Sequence, residues 1–279
     1  MKRLKILLCL ALASLAYGAD LNTASKSELM SLGLNKSQAL NVIKYRKAHK
    51  FTSVEELEKV QGIGFNDMQK VKEKLSVSLS VEDFLRRFFL VELREQNLDE
   101  LISLSLNFSD KFKNHNFILW LNKCKDDLNL LDELRYEFNR LFVGPRHPKA
   151  EPYESVYFDY KTMFGEKTMQ VRSFYESSGL KLSKEQFDKF PDDFIGYELQ
   201  YLYFLSFNAL QADEKEKMDE ILHKKYDFIR THPFEWFYKF SSRCKEATNL
   251  EAYVSFADFL NLYLENEIEQ SRALLTFKS

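Results

Sequence analysis

The chain has 279 residues, 40 Lys and Arg against 42 Asp and Glu, and a formal net charge of -2. With 8 Gly and 5 Pro but 25 Phe and 14 Tyr, it excludes turn-rich all-β folds and Gly-rich linkers, and predicts helices packed through large aromatic side chains. Three scattered cysteines, Cys9, Cys124 and Cys244, are too few for a disulfide scaffold or a zinc site. The near-zero charge argues against a dedicated nucleic-acid binder until it is read segment by segment.

Residues 1–18 read as a secretory signal peptide. Lys2, Arg3 and Lys5 precede the apolar stretch Ile6 to Leu15, and Ala16-Tyr17-Gly18 places small residues before a cut at Ala19. The apolar run is too short to span a bilayer. The competing reading is an ordinary amphipathic first helix. A working leader puts the rest of the chain in an oxidising, extracytoplasmic compartment.

Residues 19–77 carry a duplicated pattern of helix, hairpin and helix. Ser25 with Glu28 forms a capping box, and Leu29, Met30 and Leu32 lead into Gly33-Leu34-Asn35-Lys36. Ala39, Leu40, Val42, Ile43 and Tyr45 then recur at helical spacing. The pattern restarts at Phe51, with Ser53 as cap and Glu56 as its partner, runs to Gly62-Ile63-Gly64, and continues as a helix through Met68, Val71 and Leu75.

Leu21-Asn22-Thr23-Ala24, Ile43-x-Tyr45-Arg46, Phe51 to Leu57 and Gly62-Ile63-Gly64 resemble the helix-hairpin-helix domain of ComEA-type competence proteins. The resemblance implies that backbone N–H groups at Gly33, Leu34, Asn35, Lys36, Gly62, Ile63 and Gly64, with Lys70 nearby, meet phosphates of double-stranded DNA. Glycines permit close backbone approach, and a helix N-terminus with free N–H groups suits an anion. The second hairpin matches fully; the first has Asn35 in place of its second Gly. The alternative is that the glycines only close tight turns. Residues 20–77 carry net +3, so binding is expected to ignore sequence and weaken with salt.

Residues 78–279 carry net -8 and read as an all-α bundle, the domain being 80–279. Phe84, Leu85, Phe88 and Phe89 stripe its first helix. Helical spacing recurs at Leu98–Leu106, Phe117–Leu121, Leu128–Phe142, Met163–Tyr175, Phe194–Phe207, Met218–Ile229, Trp236–Phe240 and Leu250–Leu264. Phe194–Phe207 is apolar nearly all round and predicts a central buried helix.

Three stretches interrupt this pattern: Phe142 to Pro145 continuing to Pro152-Tyr153-Glu154-Ser155-Val156-Tyr157, Pro191 to Leu199, and His232 to Trp236. With Phe174-Tyr175 and Gly179-Leu180, they resemble the TorD/DmsD family of redox-enzyme maturation chaperones over residues 80–270. The resemblance implies an all-helical chaperone, not an enzyme. Its partners would be a molybdoenzyme catalytic subunit and that subunit's twin-arginine signal peptide, held in the cytoplasm until the molybdenum cofactor is inserted. The expected peptide site comprises Tyr153, Glu154, Ser155 and Tyr157, with Asp193 and Glu198 as acidic contacts and His232 and Trp236 beside them. The competing readings are that Asp192 or Asp193 caps the central helix, that Glu198 pairs internally and that Trp236 is core. The family places His before its Ile-Gly pair where this chain has Phe194, so any imidazole-dependent role there does not carry over.

No metal-ligand spacing, Walker loop or nucleophile elbow is present, so no cofactor, metal or catalytic residue is expected. Arg86-Arg87 lacks a following apolar export run and reads as a solvated helix face. The two halves imply different compartments. One reading makes the chaperone dominant, with the join a recent fusion or a gene-boundary error; the other is a periplasmic DNA-uptake protein with a helical accessory domain. The join, Leu75 to Ser80, holds no Gly or Pro.

Overall fold

With few glycines and prolines to break them, the apolar-periodic segments run on as helices. The computed structural model describes residues 20–31, 34, 36–52, 56, 59, 60, 67–144, 147–158, 164–182 and 190–276. The expected leader and hairpin residues Gly33, Asn35, Gly62, Ile63 and Gly64 lie outside these, as does the side chain of Lys70. The chain divides into two compact units, Met1–Glu73 and Lys74–Ser279.

In the smaller unit, α1 (Lys26–Ser31) and α2 (Lys36–Arg46) pack around Leu21, Ala24, Leu29, Ala39, Val42, Phe51 and Val60. The capping box at α1 forms: the Ser25 N–H donates to Glu28 Oε2 at 2.6 Å, and the Glu28 N–H donates to Ser25 Oγ at 3.3 Å. In the second repeat Glu56 instead accepts from the Thr52 N–H at 2.7 Å, one residue earlier than the expected cap, and Ser53 lies outside the described residues. The quoted motif residues fasten one repeat to the other. The Asn22 side chain clasps both backbone groups of Phe51 (3.0 and 2.8 Å), and Arg46 donates to the carbonyls of Leu21 and Ala24 at 3.0 and 2.7 Å.

Helix α3 (Asp67–Leu90) runs unbroken through Leu75–Ser80. The join thus continues a helix, because Ser76, Ser78 and Ser80 contain no breaker and Ser80 Oγ bonds back to the Ser76 carbonyl at 3.0 Å. The larger unit follows with α4 (Glu95–Ser105), α5 (Asp110–Lys113), α6 (Asn116–Asp126), α7 (Leu128–Phe138), α8 (Glu166–Ser177), α9 (Ile195–Gln211), α10 (Lys215–Thr231), α11 (Pro233–Ala247) and α12 (Glu251–Thr276). Helix α7 does not reach Phe142 as one α-helix; Asn139–Val143 forms a widened π turn, ended by Gly144 at φ 56°. A short 3₁₀ turn, Glu154–Tyr157, precedes α8.

Aromatic packing holds the bundle. Phe88 stacks on Phe256 (4.7 Å between ring centroids) and meets Phe117 edge-on (5.5 Å), while Phe84 meets Phe108 edge-on (5.5 Å). Helix α9 is the buried central one; Ile195, Leu199, Tyr201 and Leu202 are wholly enclosed. Among the described residues there is no sheet; the nearest approach is one antiparallel bridge between Tyr153 and Phe194.

Candidate functional site

The interruptions at Pro152–Tyr157, Pro191–Glu198 and His232–Trp236 converge in space. The bridge brings the 3₁₀ turn against the start of α9: Ile195 N–H donates to the Pro152 carbonyl at 3.0 Å, and Glu154 N–H to the Asp193 carbonyl at 3.1 Å. Gly196 lets α3 approach, since a Cβ there would lie 2.6 Å from Phe194 Cε1 and 3.0 Å from Leu90 Cδ2.

Neither aspartate caps its own helix; Phe194 occupies the N-cap position and makes no side-chain bond. Asp193 serves the turn 38 residues earlier instead. Its Oδ2 accepts from the Ser155 N–H at 2.8 Å and its Oδ1 from the Thr168 hydroxyl at 2.9 Å. Asp192 pairs with Arg172 of α8, and its carbonyl accepts from the Tyr175 hydroxyl at 2.9 Å. Two short acidic residues thus join the 3₁₀ turn, α8 and α9.

The remaining acidic side chains are equally enclosed. Glu154 and Glu198 are 0% exposed, Trp236 0% and His232 1%. Glu154 Oε2 lies 2.7 Å from His232 Nδ1, and Lys167 Nζ lies 3.2 Å from Oε1. Trp236 Nε1–H donates to Glu198 Oε2 at 3.1 Å, leaving Oε1 without a hydrogen bond. Burial pushes the Glu198 carboxyl well above the ordinary range, and the neighbouring Glu154 charge pushes it further. Both effects favour the neutral form of Glu198. Burial also pushes the Tyr153 hydroxyl up to about 12.

Tyr157 is half-buried, donates to the Glu151 carbonyl at 2.8 Å, and lies 5.5 Å from the Trp236 ring. Beside it Phe158 carries Lys167 and Lys239 over its ring at 4.3 and 4.6 Å. Phe164, Met169 and Phe234, on segments flanking this network, are exposed. Among the described residues no group of three or more His, Cys, Asp and Glu could hold a metal ion. No helix among them is long and apolar enough to cross a membrane.

Residues 107–242, which include all three converging stretches, match the family model described as nitrate reductase delta subunit. The chaperone protein TorD of Vibrio cholerae serotype O1 is 27% identical over 147 residues, 53% of this chain and 66% of that one. TorD of Vibrio parahaemolyticus is 25% identical over 203 residues, 69% of this chain and 94% of the relative. The larger unit is TorD-like. A protein of Haemophilus influenzae named as the Tat proofreading chaperone DmsD is 26% identical over 129 residues, 46% of this chain and 57% of that one. A redox enzyme maturation protein from Archaeoglobus fulgidus has a solved structure with TM-score 0.39 and 20% identity, covering 72% of this chain and 94% of its own. Residues 16–76 match the helix-hairpin-helix motif model.

In the TorD-like unit the eight expected site residues thus gather on one network, with Asp193 and Glu198 facing inward. Phe194, at the position of the family's histidine, is 4% exposed and stacks on Phe190 at 4.7 Å, next to Tyr153 and Tyr197. An imidazole would be a polar ring inside that aromatic cluster. Lys167 and Thr168 were not expected from the sequence. Thr168, Val171 and Tyr175 share the buried face of α8, and a hydroxyl on an otherwise apolar stripe is the signal that marks Thr168. Lys167, beside it, has no such signal.

Proposed function

We propose that the TorD-like unit is a chaperone, not an enzyme, that binds the twin-arginine leader of a molybdoenzyme catalytic subunit. It holds the apo-enzyme in the cytoplasm until the molybdenum cofactor enters. The observation carrying this reading is the TorD match across the segment whose irregular stretches build one buried polar network. That network fixes the surface around Tyr157 and Phe158. There, half-exposed aromatic rings offer an apolar contact for a leader's hydrophobic segment, and the net -8 of residues 78–279 draws its basic end. On this reading Tyr153, Ser155, Asp193, Glu198, His232 and Trp236 support the binding wall from behind. Co-expression with a candidate catalytic subunit tests it: the intact subunit co-purifies, and the subunit without its leader is recovered at a much lower level. Equal recovery of both forms would refute leader recognition.

The small unit, with its helix-hairpin-helix match and a net +3 over residues 20–77, is proposed to bind double-stranded DNA through phosphates, as in ComEA-type proteins. Full-length protein is expected to bind unrelated duplexes equally, with affinity falling steeply as salt rises; a salt-independent isotherm would defeat this. The same match favours a second reading, a periplasmic DNA-uptake protein with a helical accessory domain. Intact mass after fractionation separates the two. A full-length product lacking residues 1–18 in the periplasm supports the second; a cytoplasmic product supports the first.

A further inference from the structure

Lys167 sits in a cage built for an organic cation. Its Nζ lies 3.2 Å from Glu154 Oε1, 4.3 Å from the centroid of the Phe158 ring and 3.5 Å from the Thr231 carbonyl oxygen. The three sources of negative potential come from two separate parts of the unit: the 3₁₀ turn with the residue that follows it, and the end of α10. Glu154 is fully enclosed, and its other oxygen is committed to His232 Nδ1 at 2.7 Å. Oε1 itself accepts no hydrogen bond, so it is a buried acceptor turned toward a loosely held ammonium. The lysine side chain is 23% exposed, so it is only partly enclosed.

We propose that Lys167 is an internal plug occupying the place of one arginine of the incoming leader, and that binding exchanges its ammonium for the peptide guanidinium. This rests on the chaperone reading above and adds a specific contact and a regulating residue to it. A guanidinium is the better occupant. It is planar, stacks flat on an aromatic ring, sheds water more readily than an ammonium, and donates in-plane hydrogen bonds that could reach Oε1 and the Thr231 carbonyl together. The lysine, tethered on α8, holds the site at high effective concentration and keeps the buried carboxylate paired while no peptide is bound. Displaced, the lysine passes its charge to solvent, while Lys239 stays 4.6 Å from the centroid of the same Phe158 ring. The arrangement would make the empty chaperone stable yet bias it against peptides lacking a guanidinium.

The test uses the full chain and two fluorescent leader peptides, identical except that one carries Arg-Arg and the other Gln-Gln. Lys167→Met and Lys167→Gln both remove the plug, and tryptophan emission and thermal melting report whether each variant is folded. Both are expected to bind the Arg-Arg peptide about tenfold more tightly than wild type, the scale of one partly desolvated cation–aromatic contact, with the Gln-Gln peptide unchanged. Lys167→Arg restores the plug and is expected to bind no more tightly than wild type. If wild type prefers Arg-Arg but both plug-less variants bind it no better than wild type, the plug is refuted and the chaperone reading survives. If neither wild type nor the variants distinguish the peptides, both fail. Wild type that prefers Arg-Arg, with a wider preference in both plug-less variants, supports the plug.

Discussion

Replacing Lys225 with methionine should unfold the larger unit more readily than any surface change. Lys225 Nζ lies 2.7 Å from Glu82 Oε1 and 2.5 Å from Glu267 Oε2, tying α10 to α3 and α12. The Ser78 hydroxyl donates to Glu267 at 2.5 Å, and the Tyr263 hydroxyl donates to Glu82 at 2.9 Å. Glu82, Lys225 and Glu267 are 0%, 3% and 2% exposed. Burial raises the Glu82 carboxyl, the Lys225 charge opposes the rise and Glu267 adds to it. Without the ammonium, the buried Glu267 loses its cation and keeps only the Ser78 hydroxyl. Removing one partner of a buried ion pair costs about 3–5 kcal/mol, and that is the loss expected at pH 7. Glu82→Gln exchanges a carboxyl held toward its neutral form for an amide of the same shape, and should cost about 1 kcal/mol or less. Urea unfolding followed by tryptophan fluorescence reads this unit alone, because Trp120 and Trp236 are the chain's two tryptophans. At pH 5 the Lys225→Met deficit should shrink, since protonated carboxyls need no cation. A loss under about 1 kcal/mol at pH 7, or an equal loss in Glu82→Gln, would refute the reasoning.

Gly196→Ala drives a Cβ against Phe194 and Leu90 and should cost about 1–3 kcal/mol, lowering the calorimetric Tm of the larger unit; an unchanged Tm would show that α3 and α9 are not closely packed there. Trp236→Phe removes the indole donor to Glu198 and should cost about 1–3 kcal/mol in a circular-dichroism melt. Because the Glu198 carboxyl is raised by burial, the folded unit keeps a proton that the unfolded chain releases above its ordinary value, about 4.3. Its contribution therefore weakens as pH rises through neutrality, and Glu198→Gln should flatten, without abolishing, the decline of the urea midpoint between about pH 5 and pH 8. A steeper decline in that variant would reverse the assignment.

The helices were legible because apolar positions recur at helical spacing within each, from Leu98 near the start of α4 to Leu264 in α12. So were the places where the pattern fails, and all three failures proved to be parts of one network. What joins them was not legible. Asp193 reads as a cap for the helix that follows it, but the bridge to Tyr153 turns its carboxylate toward Ser155 and Thr168, partners set by tertiary approach. The π turn after Phe138 likewise leaves the periodicity nearly intact, so Leu128–Phe142 read as one helix. The shift in charge near residue 78 suggested a break where α3 continues, because composition marks a change of partner while helix continuity depends on the absence of breakers. In the smaller unit the sequence signalled the cap at Ser25, but the clasp of Asn22 on Phe51 joins residues too far apart for local spacing to reveal.

The chaperone account turns on recognition of a leader through its arginines. The most direct measurement is the ratio of dissociation constants of the wild-type full chain for one molybdoenzyme leader peptide and for its copy with both arginines replaced by glutamine. Loss of two charge-assisted contacts should weaken binding by about tenfold or more, less so at high salt. Equal affinity for the two peptides, across leaders from several molybdoenzymes, would contradict it.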